Sequence, residues 1–234
     1  MKKKIAFFDF DNTLCAGYTL SAFYMFLIEK DISKHAAEVL EKDNYIDINF
    51  RKLHTITYNQ ATVLALENTG LSFKGLTVKE LETAAAAFAT NYAQNFYSYT
   101  KPLLTHLQKQ GYEIYIISAS TKFLVAALLK QLDIYLPIIA TDFEVKNEIY
   151  TGKIQKNLNG EAKLEAVTAL IQPEDYTIAF GDSEGDLEML QTVNQGYLIN
   201  FHDEKLLPVV NASKIKVITD TTVESIIGNI PKNY

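Results

Sequence analysis

The chain has 234 residues, 48% of them apolar, and a formal net charge of −6. This length suits one large domain or a core with an insertion, and the apolar content is enough for a sizeable core. The acidic balance argues against nucleic acid as the main partner, because binding to a phosphate backbone needs a basic surface.

The cysteine content and the apolar segments indicate in which cellular compartment the protein is expected. Cys15 is the only cysteine, so no intrachain disulfide can form, which favours a reducing environment. The apolar run 5–8 after three lysines is cut by Asp9 and is too short for a signal peptide. The apolar stretch 20–28 is too short to span a bilayer. We therefore expect a soluble cytoplasmic protein without a membrane partner.

The first predicted element is a buried strand over residues 5–8, and two carboxylates follow it directly. The segment 9–13 reads Asp-Phe-Asp-Asn-Thr, with Asp9 and Asp11 two positions apart. Burying such charges costs several kcal/mol unless something compensates them. Mg²⁺ is a natural compensating ion, because proteins hold it with one or two carboxylates, water and phosphate oxygens. The motif therefore predicts a metal site for phosphoryl chemistry at a strand end.

The region from 16 to 98 is predicted to be helical throughout. Thr77 and Glu80 fit a capping box, which marks a helix N-terminus. Apolar residues recur at helical spacing in the segments 20–28, 36–40, 56–66 and 81–88. We interpret residues 16–98 as a helical cap domain inserted into a catalytic core formed by residues 1–15 and 99–234.

After the insertion, short apolar runs alternate with helical segments. The predicted strands cover residues 113–117, 136–141, 176–180, 196–200 and 214–219. Near-continuous apolar strands separated by helices are typical of a parallel sheet covered on both faces. The expected fold is α/β, with a three-layer Rossmann-like parallel sheet core. The segment 142–154 has the pattern of a β-hairpin after the third strand.

Four further polar residues accompany the predicted strands. Ser118 follows the strand 113–117, Lys163 lies near the start of a helix, and Asp182 and Asp186 follow the strand 176–180. Ligands of open parallel sheets bind outside the carboxyl ends of the strands. Together with Asp9, these residues are expected to meet at one edge of the sheet.

The order and spacing of these motifs resemble the haloacid dehalogenase-like (HAD) superfamily. The helical insertion and the hairpin, followed by the segment 159–163, resemble its phosphoserine phosphatase-like branch with a helical C1-type cap. The resemblance covers the core by motif and the cap only by position and helical character. It implies Mg²⁺-dependent hydrolysis of a small phosphorylated metabolite through an aspartyl-phosphate intermediate.

The resemblance also implies a role for each core residue. Asp9 would be the nucleophile, and Asp11 would protonate the leaving alkoxide and then activate water. Ser118 and Ala119 would bind the phosphoryl group, and Lys163 would neutralise its charge. True dehalogenases lack a carboxylate at the position of Asp11, because a halide leaving group needs no proton. Its presence here favours phosphate-ester hydrolysis.

The resemblance implies a metal site as well. Mg²⁺ would be held by Asp9, Asp182 and the backbone carbonyl of Asp11, with Asp186 acting directly or through water. Two alternatives stay open: a phosphotransferase, which shares every core residue but uses an alcohol in place of water, and a non-catalytic member that senses phosphate or binds a protein. The intact set of core residues argues against the second alternative.

The cap is expected to determine the substrate. Phosphoserine-specific members carry an early cap glutamate, whereas this chain has Tyr18 near that position. Arg51, the only arginine, is a possible counterpart of the arginine that reads the substrate carboxylate, because its fork-shaped group suits anions. We expect Tyr18 and Arg51 to contact the substrate, and we regard phosphoserine as doubtful. The sequence leaves the substrate and the oligomeric state open.

Overall fold

The computed structural model of the chain describes residues 2–201 and 206–223, without the side chains of Arg51 and Asn59. Its strands are β1 (Lys4–Phe8), β2 (Tyr112–Thr121), β3 (Ile138–Lys146), β4 (Ile149–Lys156), β5 (Tyr176–Gly181), β6 (Gln195–Ile199) and β7 (Lys216–Ile218). Its α-helices are α1 (Thr19–Glu29), α2 (Ala36–Ile46), α3 (Tyr58–Phe73), α4 (Val78–Tyr92), α5 (Thr100–Lys109), α6 (Lys122–Lys130), α7 (Gly160–Thr168), α8 (Leu187–Thr192) and α9 (Leu207–Asn211). A π-helical segment covers Asp47–Lys52, and 3₁₀ turns cover Ala93–Asn95 and Glu184–Asp186.

The strands of the described region form one sheet in the order β4-β3-β2-β1-β5-β6-β7. All neighbouring strands are parallel except β3 and β4, which form an antiparallel hairpin. Strand β1 lies in the middle, and its last residue, Phe8, is opposite Ile116 in β2 and Phe180 in β5. The residues that follow β1, β2 and β5 therefore emerge side by side.

Alternate residues of β1 pack on opposite faces of the sheet, as the two-residue period of a strand requires. Ala6 and Phe8 belong to a core that includes leucines of α5 and α6, whereas Ile5 and Phe7 belong to a second core with α7 and α8. Helices therefore cover both faces. This arrangement confirms the predicted α/β fold with a three-layer, mainly parallel core.

One predicted boundary is wrong. Ser118 was expected to follow the end of the second strand, but β2 continues to Thr121. The pairing of β2 with β3 shifts register between Ser118 and Thr121, which marks an irregular or bulged stretch. The polar residues 118–121 therefore extend the strand instead of ending it. The predicted hairpin is present as β3 and β4, but its first arm continues the third strand instead of following it.

The described elements between β1 and α5 are all helical, and α3 packs on the hairpin. Phe73 of α3 lies 5.2 Å from Phe143 and 5.8 Å from Tyr150, measured between ring centroids. Thr77 and Glu80 form the predicted capping box at the start of α4. The assignment of residues 16–98 to a separate cap domain stays a prediction.

The loop between α3 and α4 also pairs with the edge strand β4. Gly75 N–H donates to the Tyr150 carbonyl and Tyr150 N–H donates to the Leu76 carbonyl, both at 2.9 Å, and Val78 N–H donates to the Glu148 carbonyl at 3.0 Å. These bonds cover an edge that would otherwise expose unpaired backbone groups. Among the described helices, none combines the length and apolar character needed to cross a membrane.

Candidate active site

Asp9 lies at the centre of the site, directly after β1. Its N–H donates to the carbonyl of Phe180 at the end of β5, at 2.9 Å, and its side chain is buried. The chain then turns sharply. Asn12 has a φ of 56°, a left-handed conformation that asparagine tolerates better than most residues. Hydrogen bonds from the N–H groups of Leu14 and Cys15 to the Phe10 carbonyl close this turn.

Lys163 provides the positive charge of the site. It lies in the first turn of α7, and its Nζ donates to Asp9 Oδ1 at 2.5 Å and to Asp186 Oδ1 at 2.7 Å. All three side chains are buried. Burial opposes the lysine charge, but Asp186 and Asp9 outweigh it, so the pKa of Lys163 is raised. The lysine therefore stays charged and holds the two carboxylates in place.

Asp186 fixes the loop that follows β5. Its Oδ2 accepts hydrogen bonds from the N–H groups of Asp182 and Ser183, both at 3.2 Å, and from Ser183 Oγ at 3.1 Å. The loop packs against Gly181 so closely that a Cβ there would lie 2.5 Å from the Cβ of Asp186. Glycine at 181 therefore allows Asp186 to reach both the loop and Lys163.

Three carboxylates crowd together at this point. Oxygens of Asp9, Asp182 and Asp186 lie within 4.8 Å of one another. Burial raises the pKa of Asp9 to about 7. The charge of Lys163 acts to lower this pKa, whereas the charge of Asp186 raises it further. Burial, Asp186 and Asp9 raise the pKa of Asp182 to about 9. Closely spaced carboxylate oxygens with one lysine between them are a donor set that fits a hard divalent cation such as Mg²⁺.

Asp11 is turned away from this group and toward the start of α1. Thr19 N–H donates to Asp11 Oδ2 at 3.0 Å, and Thr19 Oγ1 donates to Asp11 Oδ1 at 2.7 Å. Burial raises the pKa of Asp11 to about 6, while the two bonds from Thr19 act in the opposite direction. The carboxylate of Asp11 is not part of the triplet that could hold a metal. Its expected contact through the backbone carbonyl stays a prediction.

Ser118 and Ala119 lie beside Asp9, on the irregular part of β2. Ser118 is buried, and its Oγ accepts a hydrogen bond from Ser120 N–H at 3.1 Å. Ser118, Ala119 and Ser120 line the same cavity as Asp9 and Lys163. The structure thus brings together the core residues that the sequence selected, and their catalytic roles stay predictions.

The cavity has a volume of about 190 Å³ and lies between these core residues and the helical insertion. Tyr18 lines it with 55% of the residue exposed, and its contact with the substrate stays a prediction. Arg51 lies in the π-helical segment, but its side chain is outside what the structure describes, so its predicted contact stays a prediction. The apolar part of the cap wall comprises Leu20, Ile46, Phe50, Ala61, Ala65 and Leu66.

Sequence reasoning missed two cap residues of the site, Thr19 and Tyr58. Tyr58 begins α3, and its hydroxyl lies 3.3 Å from Ser183 Oγ, so it connects the cap with the loop after β5. Burial raises its pKa to about 12, although the bond with Ser183 acts in the opposite direction. No local motif marks either residue: Thr19 directly precedes the predicted helical segment 20–28, and Tyr58 lies inside the segment 56–66.

Comparison with known proteins identifies the family. A model of the family described as haloacid dehalogenase-like hydrolase matches residues 6–191. This match spans most of the chain, so the chain belongs to the haloacid dehalogenase-like hydrolase family. The resemblance drawn from the four motifs is confirmed at this level. No curated protein sequence matches the chain.

Solved structures show the same fold over nearly the whole chain. A protein of unknown function from Bordetella pertussis Tohama I has a TM-score of 0.75 and 19% identity, covering 93% of this chain and 99% of that one. A phosphoserine phosphohydrolase-like protein from Francisella tularensis subsp. tularensis SCHU S4 has a TM-score of 0.66 and 19% identity, covering 96% and 99%. A phospho-aspartyl intermediate analogue of phosphoserine phosphatase has a TM-score of 0.65 and 19% identity, covering 99% and 100%. At this identity, the likeness concerns the fold.

Proposed function

We propose that this haloacid dehalogenase-like hydrolase is a Mg²⁺-dependent phosphatase that hydrolyses a small phosphate monoester through an aspartyl-phosphate on Asp9. The observation that carries the proposal is the placement of Asp9, which is buried against Lys163 and lines the cavity beside the helical insertion. Asp11 and Ser118 line that cavity too. A nucleophile, a proton carrier and phosphate-binding groups therefore face the same space.

The donor set supports a resident magnesium ion. Asp9, Asp182 and Asp186 would hold it, because their oxygens are close together and, once deprotonated, would carry more negative charge than Lys163 balances. When bound, Mg²⁺ would withdraw charge from the phosphoryl oxygens. The remaining chemistry is assigned below to side chains of the chain itself.

In the proposed first step, a carboxylate oxygen of Asp9 attacks the phosphorus atom. The new bond joins that oxygen to phosphorus, the ester bond breaks, and Asp11 gives its proton to the leaving alkoxide. In the second step, Asp11 takes a proton from water, which attacks phosphorus and breaks the aspartyl-phosphate bond. A pKa near 6 suits Asp11 to both tasks at neutral pH.

The transferred group carries its charge on three oxygens, so most of the catalysis has to be electrostatic. We assign Lys163 to this charge, since its Nζ already lies 2.5 Å from the nucleophile. Ser118 and Ala119 line the same cavity, and we assign the Ser118 hydroxyl and the Ala119 N–H to donate to the phosphoryl oxygens. These groups are fixed before substrate arrives, so little reorganisation is needed in the transition state.

The size and lining of the cavity bear on the substrate. A cavity of about 190 Å³, lined on the side of the helical insertion by both apolar and polar residues, favours a compact leaving group. We assign Tyr18 and Arg51 to substrate contacts in this wall. Similar folds include proteins named phosphoserine phosphatases, but Tyr18 replaces the early carboxylate expected for a phosphoserine ammonium group. Phosphoserine is therefore not our preferred substrate.

The proposal is tested by hydrolysis of p-nitrophenyl phosphate with and without Mg²⁺. Wild type should release phosphate only with the metal, and Asp9→Asn should lower turnover by ~10³-fold or more. Asp133→Asn is the matched control, because Asp133 is exposed and asparagine accepts its positive φ of 57°. Release of phosphate distinguishes a hydrolase from a phosphotransferase, which would need an added alcohol. If wild type neither releases phosphate nor forms a beryllofluoride adduct on Asp9, the proposal is wrong.

A further inference from the structure

We infer that Thr19 is a positioning residue, which orients the Asp11 carboxylate for proton transfer and links the first cap helix to the chemistry. This inference rests on the proposed function, because it assigns Asp11 the acid and base roles. Thr19 is the first residue of α1 and is fully buried. It would not touch the substrate, so its effect would act through Asp11 alone.

Thr19 contacts both oxygens of the Asp11 carboxylate. Its N–H donates to Oδ2 at 3.0 Å and its Oγ1 donates to Oδ1 at 2.7 Å. Two bonds to different oxygens fix the plane of the carboxylate as well as its position. Each carboxylate oxygen can accept more than one hydrogen bond, so capacity remains for a proton directed into the cavity. The orientation of Asp11 is therefore set by a residue of the cap.

Ser120 connects this contact to the phosphate-binding side of the site. Its Oγ lies 2.9 Å from Thr19 Oγ1. A threonine hydroxyl has one proton, and Thr19 gives it to Asp11, so Ser120 donates to Thr19. The Ser120 N–H donates to Ser118 Oγ at 3.1 Å. A continuous chain of hydrogen bonds thus joins Ser118, Ser120, Thr19 and Asp11.

A purely structural role for Thr19 predicts different behaviour. Tyr18, the N-cap residue of α1, makes no side-chain capping bond, so Asp11 acts as the capping group of this helix from outside it. Carboxylates at helix N-termini stabilise the helix. If capping were the only role, loss of the Thr19 hydroxyl would lower the stability of the protein. The hydrogen bond from the Thr19 N–H to Asp11 would remain, so the hydrolysis rates of all substrates would change by the same factor.

The test compares two substrates of similar shape that differ in their need for a proton. p-Nitrophenolate leaves without protonation, whereas the alkoxide of benzyl phosphate depends on the general acid. Thr19→Val, which keeps shape but removes the hydroxyl, should lower kcat/KM on benzyl phosphate by ~10–100-fold more than on p-nitrophenyl phosphate, because kcat/KM reports the step in which the leaving group departs and not the later hydrolysis that both substrates share. Thr19→Ser should restore the wild-type ratio. Ser120→Ala should give a smaller loss with the same substrate dependence.

A double-mutant cycle separates the two proposals. In an Asp11→Asn background, Thr19→Val should cause no further loss on benzyl phosphate, because the group it orients is gone. Equal losses on both substrates, or a full additional loss in that background, would overturn the positioning role. If Asp11→Asn alone spares benzyl phosphate hydrolysis, the acid role in the proposed function is wrong. The thermal midpoint of each variant, measured by circular dichroism, shows that it is folded.

Discussion

Replacing Lys163 by methionine tests how the metal-free protein tolerates its buried carboxylates. Methionine has a similar length and no charge, so the change removes the ion pairs at 2.5 Å to Asp9 and 2.7 Å to Asp186 without opening a large cavity. Both carboxylates are buried and would lose their cation. Removing one partner of a buried ion pair typically costs ~3–5 kcal/mol of stability, because the other charge is left uncompensated.

The stability loss caused by Lys163→Met depends on pH, and the pKa of Asp9 determines whether the loss grows or shrinks as pH rises. This pKa is already raised to about 7, with Lys163 as the main cause acting against the rise. Without Lys163 it must rise further. A folded-state pKa above the unfolded value means that the folded protein binds more protons, so this group makes stability fall as pH rises from ~4 to the folded pKa. We expect the full ~3–5 kcal/mol loss at pH 8 and a smaller loss at pH 5.

Urea unfolding in EDTA at pH 5 and pH 8 measures this difference. Lys122→Met is the matched control, because Lys122 is an exposed residue at the start of α6. This variant should lose little stability at either pH. The double variant Lys163→Met/Asp186→Asn should recover part of the stability, since it removes one of the stranded charges. A loss below ~1 kcal/mol at pH 8, or the same loss at both pH values, would refute the reasoning.

Two further predictions concern the metal and the packing of the cap. Mg²⁺ should raise the thermal midpoint of the metal-free protein more at pH 8 than at pH 5.5. Asp9 and Asp182 have pKa values of about 7 and 9, and both must lose their protons to bind the metal. Equal shifts of the midpoint at the two pH values would contradict a site built from these carboxylates. Gly70→Ala should destabilise the protein by ~1–3 kcal/mol in urea unfolding, because the new Cβ would lie 2.4 Å from the Gly152 carbonyl oxygen and push α3 away from β4. A change below ~0.5 kcal/mol would mean that α3 is free to shift.

The fold and the core of the site were predictable because their signals are local. Asp9 and Asp182 stand directly after apolar strands, and this pattern alone indicates carboxylates at the carboxyl edge of a parallel sheet. The capping box of Thr77 and Glu80 is a four-residue pattern. Ser118 was selected for the same reason, although the strand continues past it through a register shift that no sequence pattern announces.

The cap residues of the site were not predictable, because their partners are distant in sequence or depend on backbone geometry. Tyr58 meets Ser183 across 125 positions, and Thr19 meets Ser120 across 101 positions. An isolated tyrosine or threonine at a helix start usually has a local capping or packing role. The sequence could not show that these two helix starts face the carboxyl edge of the sheet.

The topology explains why a cap inserted at this point can take part in the chemistry. The chain runs from β1 to β2 and β3 on one side, and β5, β6 and β7 lie on the other. The segments after β1, β2 and β5 therefore meet at the point where strand order reverses, which is where open sheets bind ligands. An insertion directly after β1 must pass over that point. Helix α1 therefore begins only eight residues after Asp11, and the N–H and hydroxyl of its first residue, Thr19, reach the Asp11 carboxylate. A segment inserted after an outer strand would begin farther from Asp11, and it could cover the cavity without contacting the carboxylate to which we assign proton transfer.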